Sequence, residues 1–197
     1  MTIPNGYHDV AAGKLANVAT FLEMNAPPPP RADAPGLTCT LERVREPDPA
    51  WYRSLFQRVG EPYLWSSRLA IGDPELLRIL RDPGIEVYVL RDGGDDVGLL
   101  ELDFRIAGHC EIGFFGLLER TVGTGAGRYL MNRTLERAWT RDVRRVWVHT
   151  CNLDHPAALP FYIRSGFVPY KREVEIYDDP RVTGLQPKTA ASGVPIL

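Results

Sequence analysis

Between an apolar run, Ile112 to Leu118, and a helical pattern, Tyr129 to Arg141, stands Val122-Gly123-Thr124-Gly125-Ala126-Gly127-Arg128, with glycine at alternate positions. Glycine loses more conformational freedom on ordering than any other residue, so a cluster calls for a reason, such as close approach of backbone to a ligand. Amides at the start of a helix are unpaired and carry partial positive charge, which makes phosphate their natural guest. A plain glycine turn is the bland alternative. Glu101 and Asp103 alternate onto one face of a strand, and Glu111 precedes the loop among apolar neighbours. Burial beside apolar neighbours raises a carboxyl group's pKa, while a solvated strand charge or an ion-pair partner is the bland reading of such acids. His149-Thr150-Cys151 and His155 invite a metal or a Cys/His nucleophile reading. They lack a second ligand pair and the spacing of a common zinc site, so no metal is expected.

These groups need a scaffold, and the pattern around them supplies one. Leu37 to Val44 alternates as a first strand. Asp48-Pro49 opens a helix over Trp51 to Val59, and Asp73-Pro74-Glu75 opens another with Leu76, Leu77, Ile79 and Leu80 on its buried face. Between them, Trp65, Ser66 and Arg68 lie in a connector that lines a pocket or plugs the core. Ile85 to Leu90 and Val97 to Phe104 flank Asp92-Gly93-Gly94-Asp95 and read as a hairpin, followed by a third strand, Cys110 to Leu118. Short connections make these three antiparallel neighbours. After the glycine loop come a helix with Met131, Leu135, Ala138 and Trp139 inward, and the strand Val146 to Thr150, which the crossover makes parallel to the strand before the loop. Asp154-His155-Pro156 is expected to start a helix, with Pro160 in conflict inside it and Gly166 capping its end before a last strand, Phe167 to Tyr177. The fold class expected is α/β (α+β), a mixed and mostly antiparallel central sheet with flanking helices.

The remainder divides into residues 1–36, a catalytic-sized region over 37–179 and a tail over 180–197. In the first, Gly13 to Met24 is expected to form a short helix with Leu15, Val18, Ala19 and Leu22 in one stripe, followed by the stiff run Pro27 to Pro30 and a linker. This arm is either mobile or packed on the main domain or a second subunit, which leaves a homodimer possible. A net charge of -2 gives no basic footprint, so no nucleic-acid partner is expected. No apolar run approaches membrane-spanning length, and no membrane association is expected. Three scattered cysteines, Cys39, Cys110 and Cys151, argue for a reducing, cytoplasmic setting.

With Glu111-Ile112-Gly113 ahead of the glycine loop and Phe161-Tyr162-Ile163-Arg164-Ser165-Gly166-Phe167 at the far end, this order resembles the GNAT superfamily of acetyl-CoA-dependent N-acetyltransferases. The resemblance covers roughly Leu37 to Asp178 and implies the acyl-CoA N-acyltransferase fold. In the family's glycine signature a polar Gln or Arg comes first. Val122 departs from it here, while Gly125 and Gly127 match. The resemblance implies that acetyl-CoA is the co-substrate, with no metal. Its pyrophosphate would sit on the amides of Val122, Gly123, Thr124, Gly125, Ala126 and Gly127, with Arg128 beside them. Its pantetheine arm would pair along Gly116, Leu117 and Leu118. His155 stands where the family has Asn and would contact coenzyme A or edge the acceptor pocket.

The chemistry implied is direct attack of a primary amine on the thioester. Most alkyl amines are protonated at neutral pH, so a base must take the proton, directly or through water. Glu111 matches the position of the acidic base in the histone-acetylating relatives, with Glu101 and Asp103 as rivals. Tyr162 matches the acid that protonates the departing thiolate, and backbone amides near Gly116 to Leu118 would stabilise the oxyanion. Trp65, Arg68, Glu101 and Asp103 would shape the pocket for a small-molecule or peptide amine. Two other readings stay open. One is a non-catalytic acyl-CoA-binding module, suggested by Val122 and His155. The other is a dinucleotide-binding oxidoreductase, whose Gly-x-Gly-x-x-Gly fingerprint the alternating glycines do not match.

Overall fold

The computed structural model describes residues 3–197. Lys14–Met24 forms strand β1, not the expected helix. The helical stripe Leu15, Val18, Ala19, Leu22 is also compatible with alternation. In the strand, Leu15, Asn17 and Ala19 bury one face, and Thr20, Leu22 and Met24 the other. The β-branched Val18 and Thr20 and the aromatic Phe21 favour extended backbone. The decisive term is non-local, because β1 gains an antiparallel ladder on each side.

The chain continues through β2 (Thr40–Val44), α1 (Pro49–Gly60), α2 (Asp73–Leu80), β3 (Ile85–Asp92), β4 (Asp95–Asp103), β5 (His109–Leu117), α3 (Ala126–Ala138), β6 (Arg145–Cys151), α4 (Ala158–Arg164) and β7 (Val168–Asp178). They build one seven-stranded sheet in the order β2-β3-β4-β5-β6-β1-β7, mixed and mostly antiparallel. The local signals behave as their chemistry dictates. Asp48 Oδ1 accepts from the amides of Ala50 at 3.0 Å and Trp51 at 2.9 Å and caps α1. Gly93 and Gly94, at φ 59° and 91°, make the tight β3–β4 turn that only left-handed residues allow.

Helices α1 and α2 cover one face of the sheet, where Tyr52, Leu55, Phe56, Leu76 and Leu80 meet Val87, Val89 and Leu99. Helices α3 and α4 cover the other, where Leu130, Met131 and Tyr162 meet Leu100, Ile112, Val146 and Val148. Strands β5 and β6 are parallel, as the crossover requires, but pair only from His109↔Arg145 to Glu111↔Trp147. Beyond Glu111 they part. The register of β4 and β5 slips at Glu101/Leu102, leaving Gly113 as an extra residue on β5. Such a bulge bends the strand that carries it and re-aims the residues beyond it. The gap it opens holds the site.

Helix α4 begins at Ala158, not at Asp154-His155-Pro156. Asp154 turns its carboxylate back onto the end of β6, accepting from Thr150 Oγ1 and from the Cys151 amide, each at 2.8 Å. This shift removes the conflict at Pro160. The ring now lies in the first helical turn, where an amide would have had no intrahelical partner.

Residues 25–37 cross the α3–α4 face as a packed strap rather than a mobile arm. Arg31 Nη1 donates to Arg164 O at 3.3 Å and Ser165 Oγ at 3.2 Å. Asn132 Nδ2 donates to Arg31 O at 2.8 Å and to Asp33 Oδ1 at 2.7 Å. The tail is packed as well. Buried Arg181 donates to Asp179 and to Val194 O, and Gln186 Nε2 donates to Trp65 O at 2.7 Å.

Candidate active site

The parted strands β5 and β6, the glycine loop, α4 and the Tyr63–Arg68 connector enclose a cavity of about 930 Å³. Glu111, Tyr162 and the glycine loop all face it, although they are far apart in sequence.

The loop leads into α3 through Gly125, which occupies the N-cap position at φ 97°, a left-handed conformation that glycine adopts freely. Gly123 is also left-handed, at φ 84°, with open space where a Cβ would be. Gly125 has a second constraint: a Cβ there would overlap Ala34 of the strap. Gly127 differs from both. A Cβ there would lie 3.6 Å from Leu117 Cδ1, an ordinary contact, so packing does not demand glycine. A larger side chain would instead fill the cavity, which is what a backbone cradle for an anion must avoid.

The first turn of α3 has no acidic residue, although carboxylates are favoured at that pole. It carries Arg128, and Arg31 and Arg164, at the C-terminal end of α4, line the same cavity. An arginine and no carboxylate at the positive end of the helix suit an anionic ligand. Val122, Gly123, Gly125, Gly127 and Arg128 face the cavity. Thr124 turns inward, donating to Thr121 O at 2.8 Å, and its Oγ1 accepts from the Ala126 amide at 3.3 Å.

Along β5, Gly116 and Leu117 line the cavity. A Cβ on Gly116 would overlap Val59, so that glycine is set by packing against α1. The Leu118 amide donates to Val97 O at 2.8 Å, which corrects its expected role as an oxyanion donor. Antiparallel alternation from that bond turns the peptide groups of Phe115 and Leu117 away from β4 and into the gap.

The three acids divide clearly. Glu101 is 1% exposed, accepts from Tyr52 OH at 2.5 Å through one oxygen and pairs with Arg68 Nη2 at 2.6 Å through the other. Asp103 is held by Arg105, whose Nε lies 3.0 and 2.9 Å from its two oxygens. These pairs remove Glu101 and Asp103 as bases. Glu111 has no such partner, and His149 Nδ1 stands 4.0 Å from its Oε1. Burial, then the charges of Asp103 and Glu101, push its pKa from 4.5 up to about 7, against the opposing pull of Arg105 and Arg68.

Tyr162 sits in an aromatic cage of Phe115, Phe161 and Phe167, with ring centroids 6.1, 5.7 and 5.9 Å away. Burial and the charge of Asp154 raise its pKa far above the usual phenol value, so it holds its proton. His155 lines the cavity but spends Nδ1 accepting the Ala157 amide at 3.1 Å, a structural bond at the head of α4. Trp65 serves two roles. It packs between Phe56 and Phe114, and its Nε1 reaches towards Asp154 Oδ1 at 3.4 Å. Arg68 lies over Phe114, 5.0 Å from the ring centroid.

Sequence reasoning missed Asn17, Ala19, Arg31, Glu175 and Tyr177, which also line the cavity. All lie on β1, the strap or β7, and only the placement of β1 between β6 and β7 brings them in. Asn17 interrupts the apolar inward face of β1, a signal visible only once that segment is known to be a strand. Among the described residues no group of three or more His, Cys, Asp or Glu side chains is placed to hold a metal, and no helix is long and apolar enough to cross a membrane.

A mixed sheet opened between two parallel strands, with a glycine-led helix at the gap, defines an α/β protein whose cleft is fit for an anionic ligand. The model of the acetyltransferase (GNAT) family matches residues 45–167, and the chain belongs to that family. It is similar in fold to a GCN5-related N-acetyltransferase from Sphaerobacter thermophilus, at 20% identity over 92% of this chain and 54% of that one, with a TM-score of 0.61. A putative acetyltransferase from Novosphingobium aromaticivorans aligns at 19% identity over 84% of this chain and 67% of that one, TM-score 0.56. A functionally unknown conserved protein from Staphylococcus epidermidis aligns at 15% identity, over 85% of this chain and 63% of that one, TM-score 0.56. The chain thus spans about half to two-thirds of the length of these proteins. No curated protein matches it.

Proposed function

We propose that the protein moves an acetyl group from acetyl-CoA to a primary amine by direct attack. The observation that carries this reading is the convergence of Glu111, Tyr162 and the glycine loop on one cavity. The loop amides and Arg128 would hold the pyrophosphate, with Arg31 and Arg164 adding charge elsewhere in the cavity. The thioester supplies the electrophilic carbonyl. Glu111, poised near pH 7, takes a proton from the incoming ammonium, directly or through one water. The nitrogen lone pair then forms the C–N bond, and the amides of Phe115 and Leu117 on the open edge of β5 face the developing oxyanion. As the C–S bond breaks, the Tyr162 hydroxyl, kept neutral by its surroundings, donates its proton to the leaving sulfur, and the second proton shed by the nitrogen returns to the Tyr162 oxygen through water.

Thiol release tests this directly. Purified protein with acetyl-CoA and a panel of primary amines should liberate free coenzyme A thiol in an amine-dependent manner. Binding of coenzyme A without thiol release across the panel would favour the non-catalytic acyl-CoA module. Failure to bind coenzyme A would remove the reading altogether.

A further inference from the structure

Strand β7 is the last of the sheet on its side. It pairs only with β1, and all its residues except Tyr177 are exposed. The Asp179 amide donates to Gly13 O at 2.9 Å, which fixes the phase of the ladder. Along the regular stretch, Lys171, Glu173, Glu175 and Tyr177 turn their peptide groups to β1. Those of Arg172, Val174, Ile176 and Asp178 point outward. The side chains of these four residues share one face of the sheet. On that face Val174 and Ile176 are 45% and 56% exposed, across from Val18, itself 46% exposed, and Ala16 of β1.

An open edge of this kind is a template for another strand, and proteins guard such edges with a proline, a bulge or charges. The first two devices sit at one end of β7, where Pro169 adjoins the register shift against β1. The charges beyond it do the opposite of guarding. In a second β7 turned antiparallel about a two-fold axis through Glu175, Arg172 faces the second copy's Asp178 and Val174 faces its Ile176. Both pairs recur on the other side of the axis. All four outward residues then form bonded pairs, each exchanging two hydrogen bonds. Arg172 has no carboxylate partner among the described residues, and Asp178 has Lys14 at 2.5 Å on its other side.

Other registers fare worse. An axis through Val174 or Ile176 loses one bonded pair and sets Glu173 against an acid twice over, Glu175 in the first case and Asp179 in the second. An axis through Glu173 runs into the shift at Tyr170 and keeps only two regular bonded pairs. The one adverse contact of the favoured register is Glu175 against its own mate, each accepting from Asn17 Nδ2 at 2.9 Å.

We infer that two copies of this chain join β7 to β7 in the register centred on Glu175, making one continuous sheet. The inference does not depend on the reaction. Glu175 and Tyr177 line the cavity, so each copy's cavity has a wall at the interface.

Sedimentation of the full chain should show twice the mass of one chain in the micromolar range. At the axis the two Glu175 Cα atoms form a non-bonded pair roughly 4.5 Å apart, within disulfide reach. Glu175→Cys should therefore link covalently under mild oxidation, with the disulfide mapping to position 175. Glu173→Cys should not, because its mate is displaced about 14 Å along the strand. Glu175→Gln, which removes the like charges, should lower the dimer Kd, and Arg172→Asp should raise it about tenfold. A monomer throughout that range, a folded Glu175→Cys dimer that fails to link, a link through position 173, or a Kd unmoved by Arg172→Asp would each overturn the inference.

Discussion

Replacing Glu111 with glutamine removes a charge from a place that resists holding it, and the consequence has opposite signs for stability and activity. Burial first, then Asp103 and Glu101, move the carboxyl from 4.5 to about 7. That displacement corresponds to about 3 kcal/mol, and solvent reaching a side chain that is 26% exposed reduces it to about 2 kcal/mol. The folded state binds this proton more tightly than the unfolded chain does. Its stabilising effect is therefore complete below about pH 4.5 and is lost as pH rises through about 7. Glu111→Gln should leave stability nearly unchanged near pH 4 and raise it by about 2 kcal/mol near pH 8, or by about 4–8 °C in Tm for a chain of this size. Over the same range the wild-type rate should climb about tenfold between pH 6 and pH 8 as Glu111 ionises, whereas the variant should lose about 10²–10⁴ of kcat and this pH step with it. Thermal melts and thiol release at the two pH values measure both. An equal gain in Tm at both would show that Glu111 is not desolvated. A gain confined to high pH with normal turnover would show a desolvated carboxyl that is not the base.

Tyr162→Phe keeps the aromatic cage and removes only the hydroxyl. Turnover should fall by about 10² or more with little change in acetyl-CoA affinity, and unchanged kcat would remove Tyr162 from the chemistry. Gly127→Glu places a good helix former and a favourable charge in the first turn of α3. Tm should rise slightly, by the equivalent of about 1 kcal/mol, while coenzyme A binding is lost. Retained binding by calorimetry would mean that the pyrophosphate does not lie over this residue. Gly125→Glu is the poorer probe, because its φ of 97° and the neighbouring Ala34 would disturb the fold as well. In the tail, Asp179→Asn strands the Arg181 guanidinium, whose side chain is 1% exposed, and should destabilise by about 3–5 kcal/mol in urea unfolding. A loss under about 1 kcal/mol would show that the Ala190, Ala191 and Val194 carbonyls, which also accept from Arg181 Nη1, suffice.

The parts of this molecule that could be read from sequence are those whose cause is local. The Asp48 cap, the Gly93-Gly94 turn and the glycine loop each answer to the backbone within a few residues. The crossover from β5 through α3 to β6 follows from chain handedness. Strand β1 could not be read in that way, since its stripe fits both periods and only ladders to β6 and β7, more than a hundred residues away, decide between them. The same limit applies to the acids. Glu101, Asp103 and Glu111 look alike along the chain, and what separates them is where Arg68 and Arg105 reach. Pro160 conflicts with a helix only if α4 starts at Pro156. A start two residues later turns the same ring into a favourable first-turn residue.

The placement of β1 has a consequence for how the site divides its work. The family match, residues 45–167, contains Glu111, Tyr162 and the whole glycine loop, so the parts proposed to hold the acyl donor and move protons lie inside it. Asn17, Arg31, Glu175 and Tyr177 lie outside it, yet they line the same cavity. The two sets are mechanically joined, because Ala34 packs onto Gly125 at the head of α3 and Gln186 of the tail bonds to the backbone of Trp65. A chain cut to the family match would contain the glycine loop, Glu111 and Tyr162 but lose one wall of the cavity and the strap that packs on the loop. The flanking segments therefore complete the cavity, although the local sequence signals were weakest there.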